Sequence, residues 1–331
     1  MNIFRSLEEI SSQSGPSTVT IGSFDGIHRA HQELLRRIRE RAAERGSRSV
    51  AITFDPHPLA VVAPEKAPRL LTPLPVKLEL LANSGADELL ILPFTREFSR
   101  WSPEHFVEQV LVKTLHAECV LVGENFRFGH RQAGTPQRLE ELGRRWNFRT
   151  EILPKMVLRR MIVSSSQIRS LIELGAISLA NRLLGQPFSI RGRVAPGLGI
   201  GRSQTVPTLN LEPYAELLPA RGVYITWARL GSDNGSSQLS TALGRPLRSV
   251  TNVGRRPTFG ERDLGVETHL LEPCEGSPPT VLDISFLYRL RDERKFDSAE
   301  LLREQILRDI QRAQTYFRRL ERARIQLIPP W

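Results

Sequence analysis

Cysteine is nearly absent from the 331-residue chain, which has only Cys119 and Cys274, far apart and outside any CxxC or Cys/His grouping. Neither a disulfide framework nor a structural zinc site is indicated, and the usage fits a reducing cytoplasm. Lysine is scarce as well. Lys66, Lys77, Lys113, Lys155 and Lys295 are the only five among 46 basic residues, the rest being arginine. No window holds the ~18 consecutive apolar residues of a membrane span. Glu8 and Glu9 interrupt the N-terminal "MNIFRSLEEISSQSG" where a signal peptide needs an unbroken apolar run. The expectation is a soluble, cytoplasmic protein with no membrane partner. There is no internal repeat, and the one loose polar segment, "GSDNGSSQLS", is expected to be a hairpin loop.

What is present is apolar content of 40%, enough at this length for two domains with cores of their own. The net charge of +10 is compatible with nucleic acid, anionic lipid or phosphorylated substrates and does not choose among them. In "LLRRIRERAAERG" and "QRAQTYFRRLERARIQ" the arginines are interspersed with glutamates. That pattern reads as a solvated helix face rather than a nucleic-acid patch. No feature specifies an oligomeric state.

The first half alternates strand and helix signals. "STVTIGSF" is a short apolar strand. Residues 27–45 carry Ile27, Leu34, Leu35, Ile38 and Ala42 at helical spacing, and Gly46 closes that helix before the strand "SRSVAITF". "EKAPRLLTPLPVKLELLANSG" predicts a helix, "ADELLILPF" a strand, "SPEHFVEQVLVKTL" a helix with Ser102 as N-cap, and "AECVLVGENF" another strand. This rhythm predicts an α/β fold with a parallel sheet covered by helices and ligands beyond the carboxyl ends of the strands.

After about residue 185 glycine and proline punctuate short alternating runs: "GVYITWARL", "RSVTNVG", "VETHLLE" and "TVLDISFLYRL". They predict antiparallel strands forming a small barrel. A long helix from Asp297 ends the chain, with Asp297 and Glu300 as a capping box and Leu302, Ile306, Ile310, Ala313, Phe317 and Leu320 as one apolar stripe. The division expected is 1–185 and 186–331.

"VTIGSFDGIHRAHQELL" carries two histidines three apart in the first turn of a helix that follows a strand. His28 and His31 therefore lie side by side near free backbone N–H groups whose dipole favours a phosphate. His31 also aligns with Ile27, Leu34 and Leu35, so a core histidine is the plain alternative. The loop "GSFDG" places glycines where a ligand must approach backbone, and the second strand ends in a matching "TFDPHP". Asp25, His28, His31, Asp55 and His57 could instead ligate a metal in a hydrolase, although no HExxH-like string is present.

These blocks, in this order, resemble the bacterial bifunctional riboflavin kinase and FAD synthetase family. The first half carries "GSFDGIHRAH" (Gly22–His31), "TFDPHP" (53–58), "PFTREFSRWSPEHFV" (93–107), "VGENFRFG" (122–129) and "SSSQIR" (164–169). The second carries "GQPFSIRGRV", "GIGRSQTVPTLNL", "NVGRRPTFG", "VETHLLE" and "RDERKFDSAELLREQI".

The resemblance implies a nucleotidylyl-transferase-like first domain, in which FMN attacks the α-phosphorus of ATP and pyrophosphate leaves to give FAD. Catalysis there is positioning and electrostatics. Gly22, Phe24, Asp25, His28 and His31 would hold ATP phosphates, with the histidines donating to phosphate oxygens. Ser164, Ser165, Ser166 and Arg169 would hold the leaving phosphates, though alone those serines are an ordinary N-cap cluster. Asn125, Phe126, Arg127 and Phe128 would line the nucleotide and flavin pocket. The second domain would resemble the riboflavin kinase barrel, which transfers the γ-phosphoryl group of ATP to the ribityl 5′-hydroxyl of riboflavin. Gly197, Gly199, Gly201 and Arg202 would bind phosphates, Thr208 and Asn210 would ligate Mg²⁺, and Glu267 would be the general base.

The sequence departs from the family pattern at four places. Ala30 replaces the glycine between the histidines, Asn125 an acidic residue, and Gly134-Thr135 a Gly-Asp pair. Gln204, Thr205 and Val206 replace Leu-Gly-Phe in the kinase flap, where a glycine at positive φ would not be matched by a β-branched residue. A flavin- or nucleotide-binding homologue without kinase activity, and the metal hydrolase, stay as alternative readings.

Overall fold

The computed structural model describes residues 1–11, 14–195, 208–232, 243–255, 264–273 and 278–323. Gly197, Gly199, Gly201, Arg202, the stretch 204–206, Cys274 and most of "GSDNGSSQLS" lie outside those residues. Contacts between Cα atoms group Met1–Arg69 with Lys77–Ser164 as one unit, and Leu70–Val76 with the described residues from Ser165 onward as a second.

The apolar runs of the first unit form one sheet. Its strands are β1 (Asn2–Phe4), β2 (Ser17–Ile21), β3 (Arg48–Asp55), β4 (Glu88–Pro93), β5 (Ala117–Gly123) and β6 (Arg149–Leu153). They lie in the order β1-β4-β3-β2-β5-β6, every neighbouring pair parallel, as the alternation predicts. Helices α1 (Arg29–Arg45), α2 (Pro58–Val62), α3 (Leu74–Ala82), α4 (Pro103–Phe106) and α5 (Pro136–Trp146) connect them, and a hairpin of β7 (Val157–Leu158) and β8 (Met161–Ile162) follows.

Because side chains alternate along a strand, the sheet buries both faces. Val19, Ile21, Val50, Ile52, Leu90, Leu92, Val120 and Val122 pack with Phe106, Val107, Val110, Leu111, Leu139 and Leu142. On the other face Ala51, Leu89, Ile91, Cys119 and Leu121 pack with Leu34, Leu35 and Ile38 of α1 and Leu81 of α3. Each such side chain contributes roughly 1.5–3 kcal/mol of burial. Strands β2, β3 and β4 step one way across the sheet whereas β5 and β6 step the other. Chain direction therefore reverses between β2 and β5, and a crevice opens beyond their carboxyl ends.

Three helices differ from expectation. Helix α1 starts at Arg29 rather than 27, because Ile27 has φ +41° and His28 is the N-cap; Gly46, at φ +62°, ends it as expected. "EKAPRLLTPLPVKLELLANSG" gives only a 3₁₀ turn at Pro64–Lys66 and then α3, since its prolines interrupt the pattern. Ser102 does cap α4, its Oγ accepting from the His105 N–H at 3.1 Å, but the helix continues over Val107–Thr114 with π-type bonding.

The second unit contains α6 (Ser165–Glu173), α7 (Ile177–Leu184) and six strands: β9 (Phe188–Arg193), β10 (Thr208–Asn210), β11 (Gly222–Gly231), β12 (Leu247–Arg255), β13 (Leu264–Leu270) and β14 (Val281–Asp292). Their order is β10-β13-β12-β11-β14-β9, all antiparallel. The edges meet through a Val194–Leu211 bridge, with Ala195 N–H to Asn210 O at 2.8 Å and Glu212 N–H to Arg193 O at 3.0 Å, so the sheet curls into the expected barrel. Helix α8 (Ala299–Arg322) lies on it, with Ala313 and Phe317 against Val223, Ile225, Val250 and Leu287. Its cap is Ser298, whose Oγ accepts from the Leu301 N–H at 3.3 Å; the Asp297–Glu300 capping box does not form. The buried stripe is Gln305, Asp309, Ala313 and Phe317, and Leu302 is exposed. Asp309 turns inward because Arg291 of β14 pairs with it at 2.8 Å.

Candidate active site

The loop after β2 is strained and buried. Phe24 and Ile27 sit at φ +47° and +41°, where non-glycine residues cost about 1–3 kcal/mol each unless their surroundings impose the conformation. Both are buried, as are Asp25 and His28. His28 caps α1: its Nδ1 accepts from the His31 N–H at 3.4 Å, which leaves its proton on Nε2 as a donor. The two imidazoles stack with centroids 3.6 Å apart and 14° between planes, and Phe24 meets the His31 ring edge-on at 5.1 Å. Burial, then the neighbouring His28 and Lys77, hold the His31 imidazole well below the ordinary histidine range, so it is neutral at pH 7. Among the described residues its buried Nδ1 has no hydrogen-bond partner. Gly22, Phe24, Asp25, His28 and His31 are thus brought together at the carboxyl end of β2.

Lys77 of α3 reaches the same place. It is 8% exposed, and its Nζ donates to the Ser23 carbonyl and to Thr53 Oγ1, each at 3.4 Å. Burial pushes this ammonium down from the ordinary lysine range, while Asp25 and Asp55 act to raise it. Sequence reasoning assigned Lys77 no role. The available signal is one lysine inside the apolar run "LPVKLELLA" in a chain with five.

Across the crevice, the loop after β5 carries Asn125, Phe126, Arg127 and Phe128. Phe126 and Phe128 stack at 5.3 Å, and Phe128 pairs with Gly134 in both directions, N–H to O at 3.1 and 2.8 Å. A Cβ on Gly134 would lie 2.5 Å from the Phe128 ring, so no side chain fits there. From Phe128 a chain of ring contacts runs through Phe106 (5.8 Å) and Phe98 (6.1 Å) to Phe94 (5.5 Å) and Phe54 (5.6 Å from Phe94). This aromatic wall stands at the carboxyl ends of β3, β4 and β5. Apart from Phe128, the sequence shows its members only as scattered phenylalanines.

Ser164, Ser165, Ser166 and Arg169 stand at the start of α6. The boundary between the two contact units falls between Ser164 and Ser165.

In the second unit, register decides the geometry. Asn210 of β10 is directly opposite Glu267 of β13, which is opposite Asn252 of β12. Thr208 is two residues from Asn210 and therefore on the same face of the sheet, opposite His269. Glu267 and Thr208 are exposed and Asn210 is half-buried. A hydroxyl, an amide and a carboxylate share one open face, with Asn252 added by the fold. The other face is closed by buried hydroxyls: Thr226 to Ser249 at 2.7 Å and to Thr251 at 2.8 Å, and Thr251 to Thr268 at 2.9 Å.

The metal-hydrolase alternative fails on geometry. Among the described residues no three His, Cys, Asp or Glu side chains stand close enough to hold a metal ion. Stacked imidazoles lie in parallel planes and cannot aim nitrogens at one centre, and His57 Nδ1 is turned to the Leu59 N–H at 3.3 Å as the cap of α2.

A switch-point crevice with an anion-ready helix start, followed by a barrel with an oxygen-rich face, gives a two-part arrangement suited to phosphate-bearing ligands. The family model described as FAD synthetase matches residues 10–167, and that described as riboflavin kinase matches 184–317. The chain is 32% identical over 319 residues to the bifunctional riboflavin kinase/FMN adenylyltransferase of Escherichia coli K12, covering 96% of this chain and 98% of that one. It is 33% identical over 311 residues to that of Pseudomonas fluorescens, covering 94% and 96%. A solved structure described as a macrolide-efflux protein from Streptococcus pneumoniae superposes with a TM-score of 0.80 at 26% identity, covering 94% of this chain and 98% of that chain. The chain belongs to the bifunctional riboflavin kinase/FMN adenylyltransferase family. Among the described residues no helix is long and apolar enough to cross a membrane.

Proposed function

We propose that this chain phosphorylates riboflavin to FMN with ATP and then adenylylates FMN with a second ATP to give FAD and pyrophosphate. The two family matches in series, each over a half with its own polar site, carry this reading. We assign residues 1–185 to adenylyl transfer and 186–331 to the kinase, in the cytoplasm.

In the first reaction the ribityl 5′-hydroxyl attacks the γ-phosphorus, its proton passes to Glu267, and ADP leaves. Thr208 and Asn210 offer the oxygen donors that magnesium takes; when bound, that ion neutralises phosphate charge. The register pairing Asn210 with Glu267 supports this assignment, because it sets base and oxygen ligands side by side. In the second reaction an FMN phosphate oxygen attacks the α-phosphorus and the α–β bridging bond breaks. His28 donates from Nε2 and neutral His31 from its protonated nitrogen to phosphate oxygens as charge grows on them. Half-buried Phe126, backed by the buried Phe128 on which it stacks, offers a ring face to the isoalloxazine. Ser164, Ser165, Ser166 and Arg169 take the leaving pyrophosphate.

The test is chromatography of flavins after incubation with ATP and magnesium. Riboflavin should give FMN and FAD, FMN should give FAD, and chelation of magnesium should stop both. Failure to convert either flavin contradicts the reading.

A further inference from the structure

We propose that Lys77 is a positioning residue of the adenylyl-transfer site: by bridging the Ser23 carbonyl and the Thr53 hydroxyl, it ties the loop after β2 to the end of β3 so that this loop presents the stacked histidines to the triphosphate. The inference rests on the assignment of His28 and His31 to adenylyl transfer.

Burial is the first argument. Removing an ammonium from water is costly unless it is compensated, and a methionine would fill the same space at that point of α3. Yet Lys77 is 8% exposed and meets two neutral oxygens at 3.4 Å, the long end of hydrogen bonding. Such weak contacts do not repay desolvation as stability alone. Burial pushes the ammonium down from the ordinary lysine range, and the buried Asp25 and the exposed Asp55 act on it in the opposite direction.

Strain is the second. The segment that Ser23 opens holds Phe24 at φ +47° and Ile27 at +41°, and such conformations persist only where the surroundings over-determine them. Lys77 grips the carbonyl immediately before Phe24, and its other partner, Thr53, itself donates through Oγ1 to the Ser23 carbonyl at 3.3 Å. Two groups, one from β3 and one from α3, therefore close on the peptide that follows β2. Lys77 also acts on His31, adding to burial and to His28 in holding that imidazole below the ordinary histidine range.

The experiment compares Lys77→Met and Lys77→Arg in the full chain, measuring kcat and KM for ATP in FAD formation, the pH profile of that kcat, and FMN formation as a control on the other half. Lys77→Met should lower kcat for FAD formation by about 30-fold or more with KM for ATP changed less than ~3-fold, as misplacement of reacting groups does. Its acid limb should move to higher pH, Lys77→Arg should recover most of the rate, and FMN formation should be unchanged. Should Lys77→Met fail to fold, Lys77→Gln takes its place. A kcat near wild type overturns the proposal. So does a rise in KM alone, which marks direct ligand binding, or an arginine variant as poor as methionine with an unmoved acid limb, which marks packing. If His31→Ala still makes FAD at the wild-type rate, it is the underlying assignment that fails.

Discussion

His31 and His28 share a stacked pair, and among the described residues the His31 Nδ1 is buried without a partner. Its depressed pKa has a consequence for stability. Above about pH 6.5 the imidazole is neutral in the folded and the unfolded chain alike. Below that value the unfolded chain takes up a proton that the folded one refuses, so stability falls as pH falls, by up to about 1.4 kcal/mol per pH unit. Chemical unfolding between pH 6.5 and 5 should show that slope, and His31→Gln should flatten it; equal slopes would refute the electrostatic description. The histidine pair was legible because its spacing after a glycine-bearing turn is local information. Lys77 was not, since a lysine on a helix is ordinarily solvated, and only packing of α3 beside two strand ends reveals its burial.

Elements show the same division between local and distant causes. A parallel sheet followed from alternation, whereas its strand order, and with it the switch point between β2 and β5 that gathers the loops, came from the fold. The capping of α8 was not legible either: Asp297 and Ser298 are both good cap residues, and it is Ser298 that accepts from the Leu301 N–H. The polar stripe of Gln305 and Asp309 was hidden because its cause, Arg291, lies on another element. The loop after β5 depends on a close approach, Gly134 against Phe128, that no spacing announces. Gly134→Ala should displace that ring, lower stability by about 1–3 kcal/mol, and raise KM for FMN in FAD formation while leaving riboflavin phosphorylation intact. Thermal unfolding with steady-state kinetics checks this, and an unchanged melting temperature would show that the loop tolerates the methyl group.

For the whole molecule the proposed division of labour assigns the parallel sheet, with its stacked histidines, to one nucleotidyl transfer and the antiparallel barrel, with Glu267 opposite Asn210, to one phosphoryl transfer. The order of strand types made the two architectures legible. Pairing of Asn210 with Glu267 across 57 positions of chain required the register itself. The direct measurement is both reactions on His31→Ala and Glu267→Gln in the intact chain. His31→Ala should abolish FAD formation from FMN and leave FMN formation from riboflavin at the wild-type rate, and Glu267→Gln should do the reverse. Equal damage to both reactions by both substitutions would contradict the account.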